Sequence, residues 1–129
     1  MIRLIDHVNI ATEKLAETRD FFVDVLGLEE GWRPDVGREG YWLYADGRPI
    51  VHLQRASGPV VPSRQGALNH AAFEVTDLAA VAEALDRRGV AYRAFVPSDG
   101  PVRQLFLEDP NGVLVELNAP RVPLEAARA

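Results

Sequence analysis

The chain has 129 residues, 14 basic against 19 acidic side chains, a formal charge of −5 and 47% hydrophobic residues. That size suits one domain or two small fused modules with a core of their own, and the acidic balance offers no footprint for nucleic acid. The absence of cysteine excludes disulfides, thiolate metal sites and Cys nucleophiles, and no apolar run approaches the ~18 residues of a membrane span.

The opening MIRLIDHVNIA carries Asp6 and no long apolar stretch, so it does not read as a signal peptide and a cytoplasmic location is expected. Residues 3–10 read as a strand. Thr12 is placed to cap a helix that runs to about Val25, with Leu15, Thr18, Phe22, Val25 and Leu26 near one face and Gly27 ending it. Strands are expected over 28–33, 41–45 and 49–54, the last two joined by the turn pair Asp46-Gly47. RASGPVVPSRQG, 55–66, reads as a linker. A strand over 67–75 follows, then an amphipathic helix over 77–88 with Leu78, Val81, Ala82 and Leu85 on one face and Gly89 at its end. Strands at 90–96, 102–108 and 113–117 complete the set, separated by the turns PSDGP (97–101) and DPNG (109–112). The tail, 119–129, reads as a short helix or a frayed end.

The order is therefore βαβββ, linker, βαβββ: an α+β chain with an internal repeat. Module one spans 1–54, the linker 55–66, module two 67–118 and the tail 119–129. LIDHVNI aligns with ALNHAAF, which sets His70 63 residues after His7, and RPIVHLQ aligns with GVLVELN, which sets Glu116 64 residues after His52. All three histidines of the chain thus fall mid-strand at positions that the repeat makes equivalent to one another or to Glu116. The bland reading is a set of hydrogen-bonded polar contacts inside a duplicated fold. It leaves unexplained why a carboxylate sits among the apolar neighbours of VLVEL, where burial is costly unless the group is paired or bound to a cation. The sharper reading is a metal site of His7, His52, His70 and Glu116. Its imidazole and carboxylate donors suit Zn, Fe, Mn, Ni or Co rather than Ca.

The segments DHVNI, FFVDVLGL, IVHLQ, LNHAAFEV and EDPNGVLVEL together resemble the vicinal oxygen chelate superfamily. That group includes glyoxalase I, methylmalonyl-CoA epimerase, extradiol dioxygenases, fosfomycin-resistance thiol transferases and bleomycin-resistance binding proteins. The resemblance covers residues 3–118. It implies paired βαβββ modules that form a curved, incomplete barrel around one divalent metal ion in a central cavity. It also implies a homodimer, in some members with modules paired across chains. His7, His70 and Glu116 match the superfamily's two-His-one-carboxylate set. At the position of His52, glyoxalase I has a Glu and the epimerase a Gln, so a His there is a departure.

The resemblance implies chemistry on a small substrate chelated through neighbouring oxygens. The first reading is a glyoxalase-like lyase or isomerase that transfers a proton, with Glu116 or His52 as base; four protein ligands on a six-coordinate ion leave two positions for the substrate. The second is extradiol dioxygenation on Fe(II), in which His52 stays off the metal and acts as acid or base. The third is a metal-free, bleomycin-resistance-like binder of a small ligand. Trp42 and Tyr44 share one strand face and Gln104 and Phe106 another. Either pair, with Arg103, is a candidate for substrate contact, although Trp42 reads more readily as core. Arg64 is a weaker candidate for an anionic substrate, and Arg87 and Arg88 read as a solvated helix end. DVGREG, 35–40, lacks the Lys-Ser/Thr pair of a phosphate loop.

Overall fold

Four strands and one short helix build the first module. β1 (Val8–Thr12) lies parallel to β4 (Arg48–Arg55), β4 antiparallel to β3 (Gly40–Ala45), and β3 antiparallel to β2 (Glu29–Gly31), giving the order β1-β4-β3-β2. The second module repeats this with β5 (His70–Glu74), β6 (Arg93–Phe95), β7 (Gln104–Glu108) and β8 (Leu114–Asn118), in the order β5-β8-β7-β6. The structure is a computed structural model that describes residues 1–98 and 103–120. The expected turn at 97–101 falls partly outside those residues, and so does the tail from 121 onward.

Each sheet buries one face. Ile10, Leu43, Val51 and Leu53 in the first, and Leu105, Leu107, Val115 and Leu117 in the second, pack with Leu15, Phe22, Leu78 and Leu85 into one apolar cluster. Burial of each such side chain is worth about 1.5–3 kcal/mol. α2 (Leu78–Arg88) forms where its apolar period predicts. The Asp77 side chain accepts a hydrogen bond from the Ala80 N–H at 3.0 Å, and Gly89 takes the left-handed conformation (φ 66°) that ends the helix.

The first helix departs from expectation. α1 spans only Leu15–Asp20 and continues as a π turn over Phe21–Val25. Thr12 does not cap it. Its side chain is buried at the end of β1 and accepts a hydrogen bond from the Lys14 N–H at 2.8 Å, a local turn before the helix starts. β1 starts five residues later than expected and β2 is shorter, while a 3-10 turn (Ser63–Gln65) occupies the linker.

The modules are joined by a polar bridge. Asn111, in the turn ahead of β8, donates to Thr18 Oγ1 at 3.0 Å and to Asp109 Oδ2 at 2.9 Å, and accepts from Thr12 Oγ1. Thr12 and Thr18 are fully buried, and Lys14 completes their hydrogen bonding: its N–H donates to Thr12 Oγ1 and its carbonyl accepts from Thr18 Oγ1 at 2.7 Å. The bridge ties the end of β1 to the start of β8.

Candidate functional site

Strand alternation turns the candidate residues away from the core. In the first module the register sets Asn9 and Trp42 on either side of His52; in the second it sets Ala72 and Phe106 on either side of Glu116. His52 and Glu116 therefore occupy equivalent places, as do Trp42 and Phe106. These faces carry no helix of their own module.

On the second sheet, His70 Nε2 lies 2.9 Å from Glu116 Oε2. His70 Nδ1 is 2.9 Å from Asn69 Oδ1. Gln104 donates to Glu116 Oε1 and, at 3.1 Å, to Asn118 Oδ1. Glu116 is 8% exposed, so this amide lies against a carboxylate largely removed from water. The Arg93 guanidinium sits 5.3 Å from the Phe106 ring centre, within cation–π range.

On the first sheet, the rings of His7 and His52 stack at 3.7 Å with a 13° tilt, and His52 stacks on Trp42 at 4.1 Å with the same tilt. Trp32 meets Trp42 edge-on at 5.9 Å. His52 Nε2 donates to the Pro49 carbonyl at 3.1 Å. Burial, then the neighbouring His7, push the His52 imidazole below its ordinary pKa. His7 Nδ1 lies 2.7 Å from Asp6 Oδ2, and this hydrogen bond holds the exposed Asp6 carboxyl below its usual value.

Trp42 is thus not a core residue: it is half-buried on the uncovered face, in ring contact with Trp32 and His52. Tyr44 shares that face and donates to the Trp32 carbonyl. Gln104 and Phe106 lie beside Glu116 as their spacing predicts, whereas Arg103 is exposed just before β7. Arg64 pairs with Glu108. Sequence reasoning missed Asp6, Asn69 and Asn118. The first two are polar neighbours, one residue away, of histidines already singled out, and Asn118 stands two residues beyond Glu116 on the same strand face.

The four metal-capable residues come together as two pairs, not as one set. Among the described residues, no three His, Asp or Glu side chains are close enough to hold an ion together. The polar bridge lies at the end of β1 far from His7. Thr12, at one end of β1, contacts Asn111 beside the start of β8, and β5 starts there too, since His70 pairs with Leu114. His7 stands at the opposite end of β1, roughly 17 Å away at the rise of a strand.

The sequence profile of the Glyoxalase/Bleomycin resistance protein/Dioxygenase superfamily matches residues 4–117. No curated protein matches the chain. Among solved structures, a protein assigned to the glyoxalase family from Bacillus anthracis has a TM-score of 0.78 at 22% identity, over 94% of this chain and 98% of that one. The fosfomycin resistance protein FosX from Listeria monocytogenes has a TM-score of 0.72 at 18% identity, over 95% and 97%. TnmS3, an antibiotic binding protein from Streptomyces sp. CB03234, has a TM-score of 0.65 at 22% identity, over 93% and 98%. At these identities the likeness establishes the fold.

Proposed function

Because the chain belongs to the glyoxalase, bleomycin resistance and dioxygenase superfamily, we propose that it is a divalent-metal-dependent enzyme of the glyoxalase type, acting by proton transfer on a small substrate chelated through neighbouring oxygens. The observation that carries this reading is the His70–Glu116 pair, 2.9 Å apart, with the carboxylate largely buried. The donor set fits a metal. With Nδ1 held by Asn69 and Nε2 turned to Glu116, His70 has the oriented geometry of a ligating imidazole, and Gln104 orients the carboxylate in the same way. His7, backed by Asp6, is the third donor. A divalent ion held by His7, His70 and Glu116 would supply Lewis-acid stabilisation of a developing oxyanion. Glu116 Oε2, which pairs with His70 Nε2, is the oxygen that would take the substrate proton, since Oε1 is held by Gln104. Trp42 and Tyr44 on the first sheet and Phe106 on the second are the candidate substrate contacts, and Arg103 is the candidate contact for an anionic group.

The split pairs support a homodimer in which His7 of one copy faces His70 and Glu116 of the other. A two-fold dimer then has two such sites. Mixing a His7→Ala variant with a Glu116→Gln variant tests this. Random exchange leaves one intact site in each mixed dimer, so about a quarter of the wild-type metal binding returns on mixing two inactive variants. No recovery would place each site within one copy.

The aromatic row of Trp32, Trp42 and His52 supports a second reading, a small-ligand binder such as TnmS3 is described to be. Two measurements separate the readings. Wild-type protein offered Mn(II), Fe(II), Ni(II), Co(II) and Zn(II) is expected to take up about one ion per chain. It is also expected to exchange the proton next to the carbonyl of α-hydroxyketones in D₂O, and Glu116→Gln to lose this exchange. Failure to take up any metal would leave the binder.

A further inference from the structure

We propose that His52 stays off the metal and serves instead as a positioning plate that holds the His7 ring for it. The inference rests on the metal-centre reading above. Two observations carry it. First, His52 Nε2 donates to the Pro49 carbonyl of its own strand at 3.1 Å, so the ring nitrogen farthest from the backbone is already engaged. Second, the His7 and His52 rings lie 3.7 Å apart with a tilt of 13°. A metal ion lies in the plane of each imidazole that binds it, about 2.1 Å from the nitrogen. Two planes so close and so nearly parallel meet on the order of 15 Å away, far beyond a metal–nitrogen bond. No single ion can therefore be bound by both rings as they stand.

Of the two, His7 has the ligand's arrangement. Its Nδ1 is fixed by the Asp6 carboxylate at 2.7 Å, which leaves Nε2 for the ion. His52 has its other face on Trp42 at 4.1 Å, because the β3–β4 register sets those two residues side by side. Trp42 and His52 thus form a fixed plate inside the sheet. His7 lies ahead of β1, with a side chain 37% exposed, and this plate limits its rotation. Three protein ligands leave three positions on a six-coordinate ion, one more than a two-oxygen chelate uses.

The test is a Co(II) titration of the whole protein, followed by visible absorption, for wild type and for His52→Phe, His52→Ala and His7→Ala. His52→Phe keeps a plate but has no donor. It is expected to bind Co(II) at wild-type stoichiometry, within about threefold in affinity and with an unchanged spectrum. His52→Ala loses the plate and is expected to bind at least about tenfold more weakly. His7→Ala is expected to abolish binding. Circular dichroism checks the fold, and His52→Tyr replaces the Phe variant if that one does not fold. A loss in the plate-retaining variant as deep as in His7→Ala would overturn the proposal and leave the metal centre standing. Wild-type affinity in His52→Ala would overturn the positioning role. No Co(II) uptake by wild-type protein would overturn the metal centre itself, and this inference with it.

Discussion

His70 reaches Glu116 diagonally: the residue directly beside Glu116 on β5 is Ala72, yet the imidazole of His70, two residues earlier, comes within 2.9 Å of the carboxylate. The methyl side chain of Ala72 leaves the space that makes this possible. The carboxylate is held from its other side by Gln104, so it is fixed before any ligand arrives.

Replacing Gln104 by Leu removes that hydrogen bond without touching a donor. Metal affinity is expected to fall about 10–100-fold, the usual cost of losing an outer partner. Competition with a chelator measures it. An unchanged affinity would show that His70 alone is enough to orient Glu116.

Asn111 satisfies two fully buried threonine hydroxyls. Asn111→Ala is expected to cost about 1–3 kcal/mol, because it removes the hydrogen bonds that its side chain makes to Thr12, Thr18 and Asp109. Thr18→Val, which removes one member, is expected to cost about 1 kcal/mol. Urea unfolding curves give both values, and equal, negligible losses would deny the bridge any role in stability.

Burial pushes the Asp109 carboxyl above its ordinary value, against hydrogen bonds from Asn111 and Val113 that pull it down. A folded-state pKa raised above the unfolded one means that the folded chain holds the proton more tightly. The contribution of Asp109 is then fully present below the unfolded value of 3.8 and is lost as pH rises through the folded value. Asp109→Asn is expected to remove this downward slope from the stability–pH curve just above pH 3.8. Denaturation midpoints across that window read it directly, and a slope identical in both proteins would refute the assignment.

A Cβ added at Gly40 would stand 2.1 Å from the Leu53 carbonyl oxygen, a backbone atom of the neighbouring strand. Gly40→Ala is expected to cost about 2–3 kcal/mol, through displaced β3–β4 pairing. A thermal melt within a degree of wild type would contradict this.

The repeat was readable from residues alone because its period is carried by strands, and strand alternation is strict. The offsets inferred for His70 and Glu116 reappear in the structure as matching neighbours, Asn9 beside His52 and Ala72 beside Glu116. α2 was readable for the same reason, with Asp77 and Gly89 as its punctuation. The π turn over Phe21–Val25 was not: its apolar spacing is that of an ordinary helix. Trp42 reads as core from the sequence because large aromatic residues usually fill cores, whereas here the ring covers a histidine. The separation of the four metal-capable residues into two pairs goes with a contact between modules made by Thr12, Thr18 and Asn111. These three polar side chains show no periodicity that would flag them.

The separation of His7 from His70 and Glu116 bears on how the protein behaves on dilution. In the dimer proposed above, where each site draws its donors from two copies, ion binding and self-association would be linked equilibria. The ion would stabilise the pair of chains, and the pairing would stabilise the ion. Chelation is then expected to shift the mass of the particle in solution, and dilution below the dimer's dissociation constant to release metal without any change in pH or denaturant.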